Sequence, residues 1–445
     1  MMVIVTIPLI GQDASGAKLI RDTEVENTIR IYAAPLFEAA GLRGADVRIF
    51  LIADNSLNAF VAGGMNLFLH TGLLLQVKNV GQLNGVLAHE TGHMASGHLT
   101  RISGRLKAGS TTALVATVLG VLTAAASGSG MAGAAIIAGG QGLALGSILA
   151  FSRAQESAAD QAGMKLLDLN GQSARGMRDF FKTIEDQELL PANRQDIYVQ
   201  THPITRHRIQ GVESHLARSP FTNVRVSPKF DNLFRRMQAK LSAFLYPPAR
   251  TLKTYSASDR STAARYARAI AYYRQNDLDQ ALRIMDALIR EEPKNAYFFE
   301  LKGQALFEAG RIKEALPHYR MAGKLDPESA LIRVELARVL LATNDQTQVK
   351  EAIRHLLFAT LESPENSQGW HQLGIAYGRD GQFGMSAVAL AEMSLVRGQL
   401  KDSLYQVGRA ERKLERESTG WLRAQDIKRL ARESLKRRRD LQNRR

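Results

Sequence analysis

The chain has no cysteine among its 445 residues. This absence excludes disulfide bonds, thiolate metal sites and cysteine nucleophiles, and it leaves histidine and carboxylate side chains as the available metal ligands. Aromatic residues are also few, at 7% of the chain, whereas hydrophobic residues at 45% and charged residues at 23% are ordinary for a globular protein. The length indicates two or three domains, each large enough to bury a core.

Acidic residues are too few to balance the basic ones. The chain has 43 Asp and Glu against 58 Lys and Arg, which gives a net charge of +15. The basic residues are spread along the chain and no groove-reading motif accompanies them, so we predict no nucleic-acid partner. A basic surface suits anionic lipid head groups or acidic stretches of partner proteins. The basic segment 436–445, taken alone, is predicted to be a solvated tail.

The most informative motif is His89-Glu90-x-x-His93. On a helix, positions i and i+4 share one face, so the two histidines can present their imidazole nitrogens to one cation. Glu90 lies beside them, where it can polarise a metal-bound water and take its proton. His98 follows His93 by five residues, about 140° around the helix, which makes it a poor third ligand. The motif therefore predicts a catalytic zinc site with a third ligand further along the chain.

The best candidate for the third ligand is Glu156, in a stretch predicted to be helical. Two histidines and one glutamate leave a fourth zinc position open for water, as a catalytic site requires. Asp160 lies one turn beyond Glu156 and can hydrogen-bond the free nitrogen of a ligating histidine, which fixes its tautomer.

Three ordered motifs resemble the gluzincin family that includes the prenyl-protein peptidases and HtpX, in particular its soluble members with a repeat domain. The motifs are His89-Glu90-x-x-His93, Ser152-Arg-x-x-Glu156-x-x-Ala-Asp160 and Thr201-His-Pro-x-x-x-x-Arg208-Ile209. The resemblance implies one zinc ion per chain, bound by His89, His93 and Glu156, with Glu90 as general base. Asp160 and Arg208 are expected to support the ligands.

The resemblance also implies roles for a histidine and a strand. His202 matches a histidine that can approach the metal as an additional ligand and hold the enzyme latent; the alternative role is a hydrogen-bond donor to the oxyanion. The segment with Asn58, Phe60, Gly63 and Gly64 looks like the family's edge strand, to which an extended substrate would add.

The apolar start of the chain, residues 1–10, has two interpretations. It lacks a basic residue and is short for a secretory signal. One interpretation, favoured by exported relatives, is the remainder of a signal peptide, which predicts a periplasmic protein. The other is a short N-terminal strand.

Residues 111–151 contain no charged residue and divide at Ser127-Gly-Ser-Gly130 into two apolar stretches. The second approaches the ~20 apolar residues that span a bilayer, but its many glycines weaken that interpretation. We predict a hairpin that covers the cleft and touches a membrane or an unfolded substrate. A buried core hairpin and spanning helices are the alternatives.

The C-terminal half has a 34-residue period, seen in Pro293 and Pro327 and in Ala281 and Ala315. This is the period of tetratricopeptide helix pairs, and Trp370-x-x-Leu373-Gly374-x-x-Tyr377 matches their consensus. Residues 266–395 are predicted to form four pairs. The predicted domains are a peptidase domain (1–218), a connector with one helix (219–260), the repeats (261–398), and capping helices with a basic tail (399–445).

The predicted fold is therefore an α+β zincin domain, mostly helical with a small sheet, followed by an all-α solenoid. The predicted function is zinc-dependent endoproteolysis of misfolded or stalled proteins in envelope and outer-membrane quality control. The repeats are expected to recruit substrates or outer-membrane assembly proteins. The alternatives are a chaperone or assembly scaffold with a latent peptidase site, and a membrane-embedded peptidase.

Overall fold

The computed structural model describes residues 3–6, 18–62, 65–97, 153–190 and 195–442. The internal contacts divide the chain into two units, Met2–Ala271 and Tyr272–Arg445. The first unit is mostly helical with a small sheet, and the second is entirely helical where it is described. The predicted fold class is confirmed.

The sheet of the first unit has five strands in the order β1-β2-β3-β5-β4. Strands β3 and β5 are parallel, and the other neighbouring strands are antiparallel. The side chains of β4 and β5 are buried on both faces, which explains why these strands are nearly continuous runs of apolar residues. Because β4 has only β5 as a neighbour, it forms one edge of the described sheet. The strands are β1 Val3–Thr6, β2 Lys18–Arg21, β3 Arg48–Ala53, β4 Ala59–Ala62 and β5 Asn66–His70.

Ten helices accompany this sheet in the described residues. Helix α3 carries the zinc-peptidase motif and begins where the Asn79 side chain accepts a hydrogen bond from the backbone N–H of Gln82 at 3.0 Å. The helices are α1 Thr23–Ala39, α2 Thr71–Gln76, α3 Val80–Ala95, α4 Arg153–Leu169, α5 Arg175–Ile184, α6 Ile197–Thr201, α7 Arg206–Leu216, α8 Pro228–Leu245, α9 Pro248–Thr254 and α10 Thr262–Arg274.

The connector has one helix more than the sequence predicted. Helix α8 ends at Leu245 as expected, but Pro248 starts the short helix α9. Proline is favourable in the first turn of a helix, because its missing N–H would have no partner there.

A buried group of charges joins α1, α8 and α10. The Lys240 ammonium lies 2.9 Å from Asp22 and 3.3 Å from Glu24. Glu24 also accepts hydrogen bonds from Arg236 at 2.6 Å and from the Tyr266 hydroxyl at 2.8 Å. Burial opposes ionisation of Glu24, but these partners outweigh it and lower the pKa of its carboxyl. The charges are paired, so breaking one pair would leave a buried charge uncompensated.

Eight helices, α10 to α17, cover the region predicted to form four pairs, and α12 to α17 pack as three consecutive pairs within the second unit. Helix α15 has 17 residues, whereas α11, α13 and α17 have 14. Ala281, Ala315, Ala352 and Ala387 are all buried, as predicted for close helix contacts. The remaining helices are α11 Leu278–Glu291, α12 Ala296–Glu308, α13 Ile312–Leu325, α14 Ala330–Ala342, α15 Gln346–Glu362, α16 Ser367–Arg379, α17 Phe383–Val396, α18 Leu400–Glu411 and α19 Thr419–Gln442.

Two predictions concern segments that the structure describes in part or not at all. Residues 3–6 form strand β1, paired with β2, as the strand interpretation of the N-terminus predicts. The apolar interval 111–151 lies outside the described residues. Within the described part of the chain, no helix combines the length and apolarity needed to cross a membrane.

Candidate metal centre

Helix α3 places both motif histidines on one buried face. Their Nε2 atoms lie 3.1 Å apart, and neither side chain is exposed. The i, i+4 spacing on a helix produces this convergence directly. Both rings are therefore available to one cation at the centre of the first unit.

Helix α4 supplies the carboxylate. Glu156 places Oε2 at 3.4 Å from His89 Nε2 and Oε1 at 3.2 Å from His93 Nε2. The two helices approach closely at Gly92, because a Cβ there would lie only 2.5 Å from the Ala159 carbonyl oxygen. The structure thus brings together the three residues predicted as metal ligands.

His202, which follows the last residue of α6, lies in the same cluster. Its Nδ1 is 3.3 Å from His89 Nε2 and 3.1 Å from Glu156 Oε1, and its Nε2 is 3.6 Å from Glu90 Oε1. The side chain is completely buried. The structure therefore brings His202 together with the three predicted ligands.

The four side chains have the spacing of a tetrahedral metal site. One donor atom from each of His89, His93, Glu156 and His202 lies within 4.8 Å of the others. Zinc bonds of 2.0–2.1 Å in a tetrahedron separate neighbouring ligand atoms by about 3.3 Å. The five distances above, from 3.1 to 3.4 Å, are close to that separation, with Glu156 contributing Oε2 towards His89 and Oε1 towards His93 and His202. The donor set therefore fits one metal ion.

Comparison with known proteins agrees with this geometry. The family model "Peptidase family M48" matches residues 20–216, and a tetratricopeptide repeat model matches residues 266–330. The chain carries a peptidase family M48 domain. It is a metallopeptidase with tetratricopeptide repeats, as the motifs predicted.

Two named relatives match along most of this chain. The beta-barrel assembly-enhancing protease of Escherichia coli (strain K12) is 25% identical over 413 residues, covering 89% of this chain and 80% of that protein. The Yersinia pestis protein of the same name is 23% identical over 415 residues, covering 89% and 81%. Among solved structures, YrrB, a TPR protein, matches 40% of this chain and 92% of its own, with 19% identity and a TM-score of 0.33.

Arg208 on α7 contacts two carboxylates of the site. Its guanidinium binds Asp160 through two hydrogen bonds of 2.6 and 2.8 Å and lies 2.7 Å from Glu156 Oε2. It also donates to the Pro203 carbonyl oxygen at 2.9 Å. Asp160 in turn lies 2.8 Å from His89 Nδ1. One buried cation therefore fixes the orientation of two ligands and of the loop that carries His202.

The electrostatics of the site keep it ready to bind a cation. Burial lowers the pKa of His93 to about 3, so its imidazole is neutral at physiological pH. Burial also opposes charge on His89, but the carboxylates of Glu156 and Asp160 outweigh it and raise the pKa of His89 to about 9. Burial opposes ionisation of Glu156 as well, yet His202 and His89 hold its pKa well below the usual range. Metal binding must displace the proton of His89, so affinity rises with pH.

Glu90 differs from the other carboxylates of the site. Neither of its oxygens has a hydrogen-bond partner among the described residues, although the side chain is fully buried. Burial raises the pKa of this carboxyl. A buried polar group without a partner costs about 1–3 kcal/mol, so its presence points to a role with a molecule that enters the site.

The predicted edge strand lies where expected, in part. Asn58 and Phe60 lie at the start of β4, the edge of the described sheet, and both are buried. The Asn58 carbonyl oxygen accepts a hydrogen bond from the backbone of His70 at 3.0 Å. Gly63 and Gly64 lie outside the described residues, as does His98.

The sequence reasoning missed Tyr198. Its ring lies against His202, with centroids 4.7 Å apart and planes inclined by 30°. The only signal was its position four residues before His202, because a helix of one turn brings i and i+4 together.

Proposed function

We propose that the protein is a zinc-dependent endopeptidase with one zinc ion per chain, held by His89, His93 and Glu156. The buried cluster of these ligands with His202 carries the proposal. Two imidazoles and a carboxylate are the ligands of many catalytic zinc sites, and the absence of cysteine agrees with this donor set. Zinc in such a site acts as a Lewis acid that polarises a carbonyl and makes water more acidic.

Glu90 is the proposed general base. Its carboxylate faces the site without a hydrogen-bond partner in the described structure, so it can accept the proton of the attacking water. The same carboxyl then returns the proton to the leaving amine. Both transfers take place in a buried site, where bulk water does not compete.

Asp160 and Arg208 are the proposed orienting residues. Asp160 accepts the Nδ1–H of His89, which leaves Nε2 with a lone pair directed into the site. Arg208 holds Asp160 and Glu156 together, so the two ligating helices keep their register. Neither residue needs to contact the substrate.

His202 is the proposed restraint on activity. With His202 as a fourth protein ligand, the site resembles a closed structural zinc site and has no place for the catalytic water. Its Nδ1 lies at ligand distance from the other donors, and its Nε2 faces Glu90, so both the metal position and the base are covered. The alternative role is donation of a hydrogen bond to the oxyanion, for which His202 would have to remain in place during turnover.

Substrates are proposed to add as a strand to β4, since backbone pairing tolerates many side chains. The repeats are proposed to select substrates or partners among envelope and outer-membrane assembly proteins, and the protein is proposed to work in the periplasm, with peripheral membrane contact through its basic surface. The name of the relatives, beta-barrel assembly-enhancing protease, supports this setting. A scaffold with a latent peptidase is the second candidate, because His202 occupies the site.

The test of the proposal is the variant Glu90→Gln. Zinc content measured by mass spectrometry should stay at one equivalent, while casein hydrolysis should be lost. Glu156→Gln is the matched change at a proposed ligand and should lose zinc as well as activity. Loss of zinc from Glu90→Gln would contradict the assignment, and so would casein hydrolysis by this variant. Normal cellular function of Glu90→Gln in outer-membrane assembly would favour the scaffold.

A further inference from the structure

We infer that Tyr198 is the positioning residue that holds His202 in the metal centre. The inference rests on the proposed restraint by His202 and concerns what keeps this side chain in place. His202 follows α6, which is only five residues long. A helix of this length has almost no stability of its own, so the position of His202 depends on contacts made by its neighbours.

The ring of Tyr198 supplies that contact. It lies almost flat against the His202 imidazole, with centroids 4.7 Å apart and an angle of 30° between the planes. On its other sides the imidazole meets His89 at 5.2 Å and His93 at 5.3 Å. His202 is thus enclosed between one aromatic ring and the ligand cluster. To leave the site, the imidazole has to lose its contact with Tyr198.

Tyr198 is itself fixed from two directions. Its backbone N–H donates to the Leu57 carbonyl oxygen at 3.3 Å, just before strand β4. The Phe180 ring of α5 meets it edge-on, at 5.3 Å and 83°. The Tyr198 ring, the platform under His202, is therefore held by α5 and by the segment before β4, and it connects His202 to the start of the edge strand.

The ring, and not the hydroxyl, makes this contact. The hydroxyl is buried and has no hydrogen-bond partner among the described residues. Removing an unpartnered buried hydroxyl does not break a bond, so Tyr198→Phe keeps the platform and should unfold at the same temperature or higher. Tyr198→Leu keeps an apolar side chain but loses the flat face.

The experiment compares basal casein hydrolysis in six zinc-loaded proteins, the unaltered protein and five variants. An aromatic contact of this kind shifts an equilibrium by roughly 2- to 12-fold, so Tyr198→Leu should raise the basal rate by that factor. Tyr198→Phe keeps the aromatic ring and should keep the low basal rate of the unaltered protein. The double variant Tyr198→Leu with His202→Ala should have the same rate as His202→Ala alone, because Tyr198 acts only through the His202 imidazole. Tyr32→Leu, at a buried ring that packs on Phe230, controls for a general loss of packing.

A second readout does not depend on turnover. In a Glu90→Gln background, the rate at which diethyl pyrocarbonate modifies His202, followed by peptide mass spectrometry, should rise by the same factor in Tyr198→Leu and not in Tyr32→Leu.

Three outcomes would overturn the inference. If His202→Ala raises hydrolysis but Tyr198→Leu behaves like Tyr32→Leu in both assays, the positioning role of Tyr198 is wrong. The restraint by His202 would be unaffected by that result. If His202→Ala fails to raise hydrolysis, the restraint itself is wrong. Loss of turnover in Tyr198→Phe would instead assign chemistry to the hydroxyl.

Discussion

Substituting Gly92 by alanine tests whether the metal centre depends on the close approach of α3 and α4. A Cβ at this position would lie 2.5 Å from the Ala159 carbonyl oxygen, about 0.9 Å short of the 3.4 Å at which ordinary contact begins. The atom in the way belongs to the backbone, so the helices must move apart. Such overpacking costs about 1–3 kcal/mol, partly offset by about 1 kcal/mol because alanine is a better helix former than glycine.

The effect on metal binding should exceed the effect on stability. Glu156 lies on α4 and the two histidines on α3, so a separation of this size takes the carboxylate out of bonding range. Metal sites tolerate displacements of only about 0.2 Å. We expect zinc affinity, measured by competition with a chromogenic chelator, to fall by at least about tenfold. Changes that only reorient a ligand already cost about 10- to 100-fold in affinity, so a displaced ligand should cost no less.

Two further glycines make the test quantitative. At Gly163 a Cβ would lie 3.0 Å from the Ala88 backbone, so Gly163→Ala should weaken zinc binding less than Gly92→Ala. At Gly211 on α7 nothing lies within 4 Å, so Gly211→Ala is the matched control and should bind zinc normally. Unchanged zinc affinity in Gly92→Ala, at normal stability of the apoprotein, would refute the dependence on helix approach.

Three other predictions follow from the site and the core. His202→Ala should raise basal casein hydrolysis with zinc retained; loss of turnover would indicate an oxyanion role. Asp160→Asn should weaken zinc binding by about 10- to 100-fold in the chelator assay, and an unchanged affinity would show that His89 needs no carboxylate partner. The pKa of Glu24 is lowered from its ordinary value of 4.5, so its ion pairs stabilise the fold at neutral pH and this contribution is lost as the pH falls below 4.5. In urea titrations, Glu24→Gln should lower the unfolding free energy at neutral pH and flatten its acid dependence; an unaltered acid dependence would contradict the reasoning.

Two pairs of residues in the candidate site could be predicted from the sequence because their geometry is local. Helical spacing alone brings His89 to His93 and Glu156 to Asp160, and composition excludes thiolate ligands. The repeats were predictable for a similar reason, since a 34-residue period records the same helix pair several times.

The contacts between segments could not be predicted in the same way. Arg208 and Asp160 are 48 residues apart, and no pattern in the sequence states that one guanidinium also reaches Glu156. The role of Gly92 left a signal, because a glycine inside a helix costs about 1 kcal/mol relative to alanine and usually has a packing reason. That signal indicates that another segment packs closely against Gly92, but it does not show that the segment is α4 at Ala159.

The distribution of the proposed ligands along the chain has a consequence for its synthesis. His89 and His202 meet across 113 residues, and Asp160 supports His89 from 71 residues away. No short piece of the chain holds the complete donor set, and an unfolded chain has no preformed site. A nascent polypeptide is therefore inert as a protease, and its capacity to cleave a substrate begins only when the first unit has folded completely.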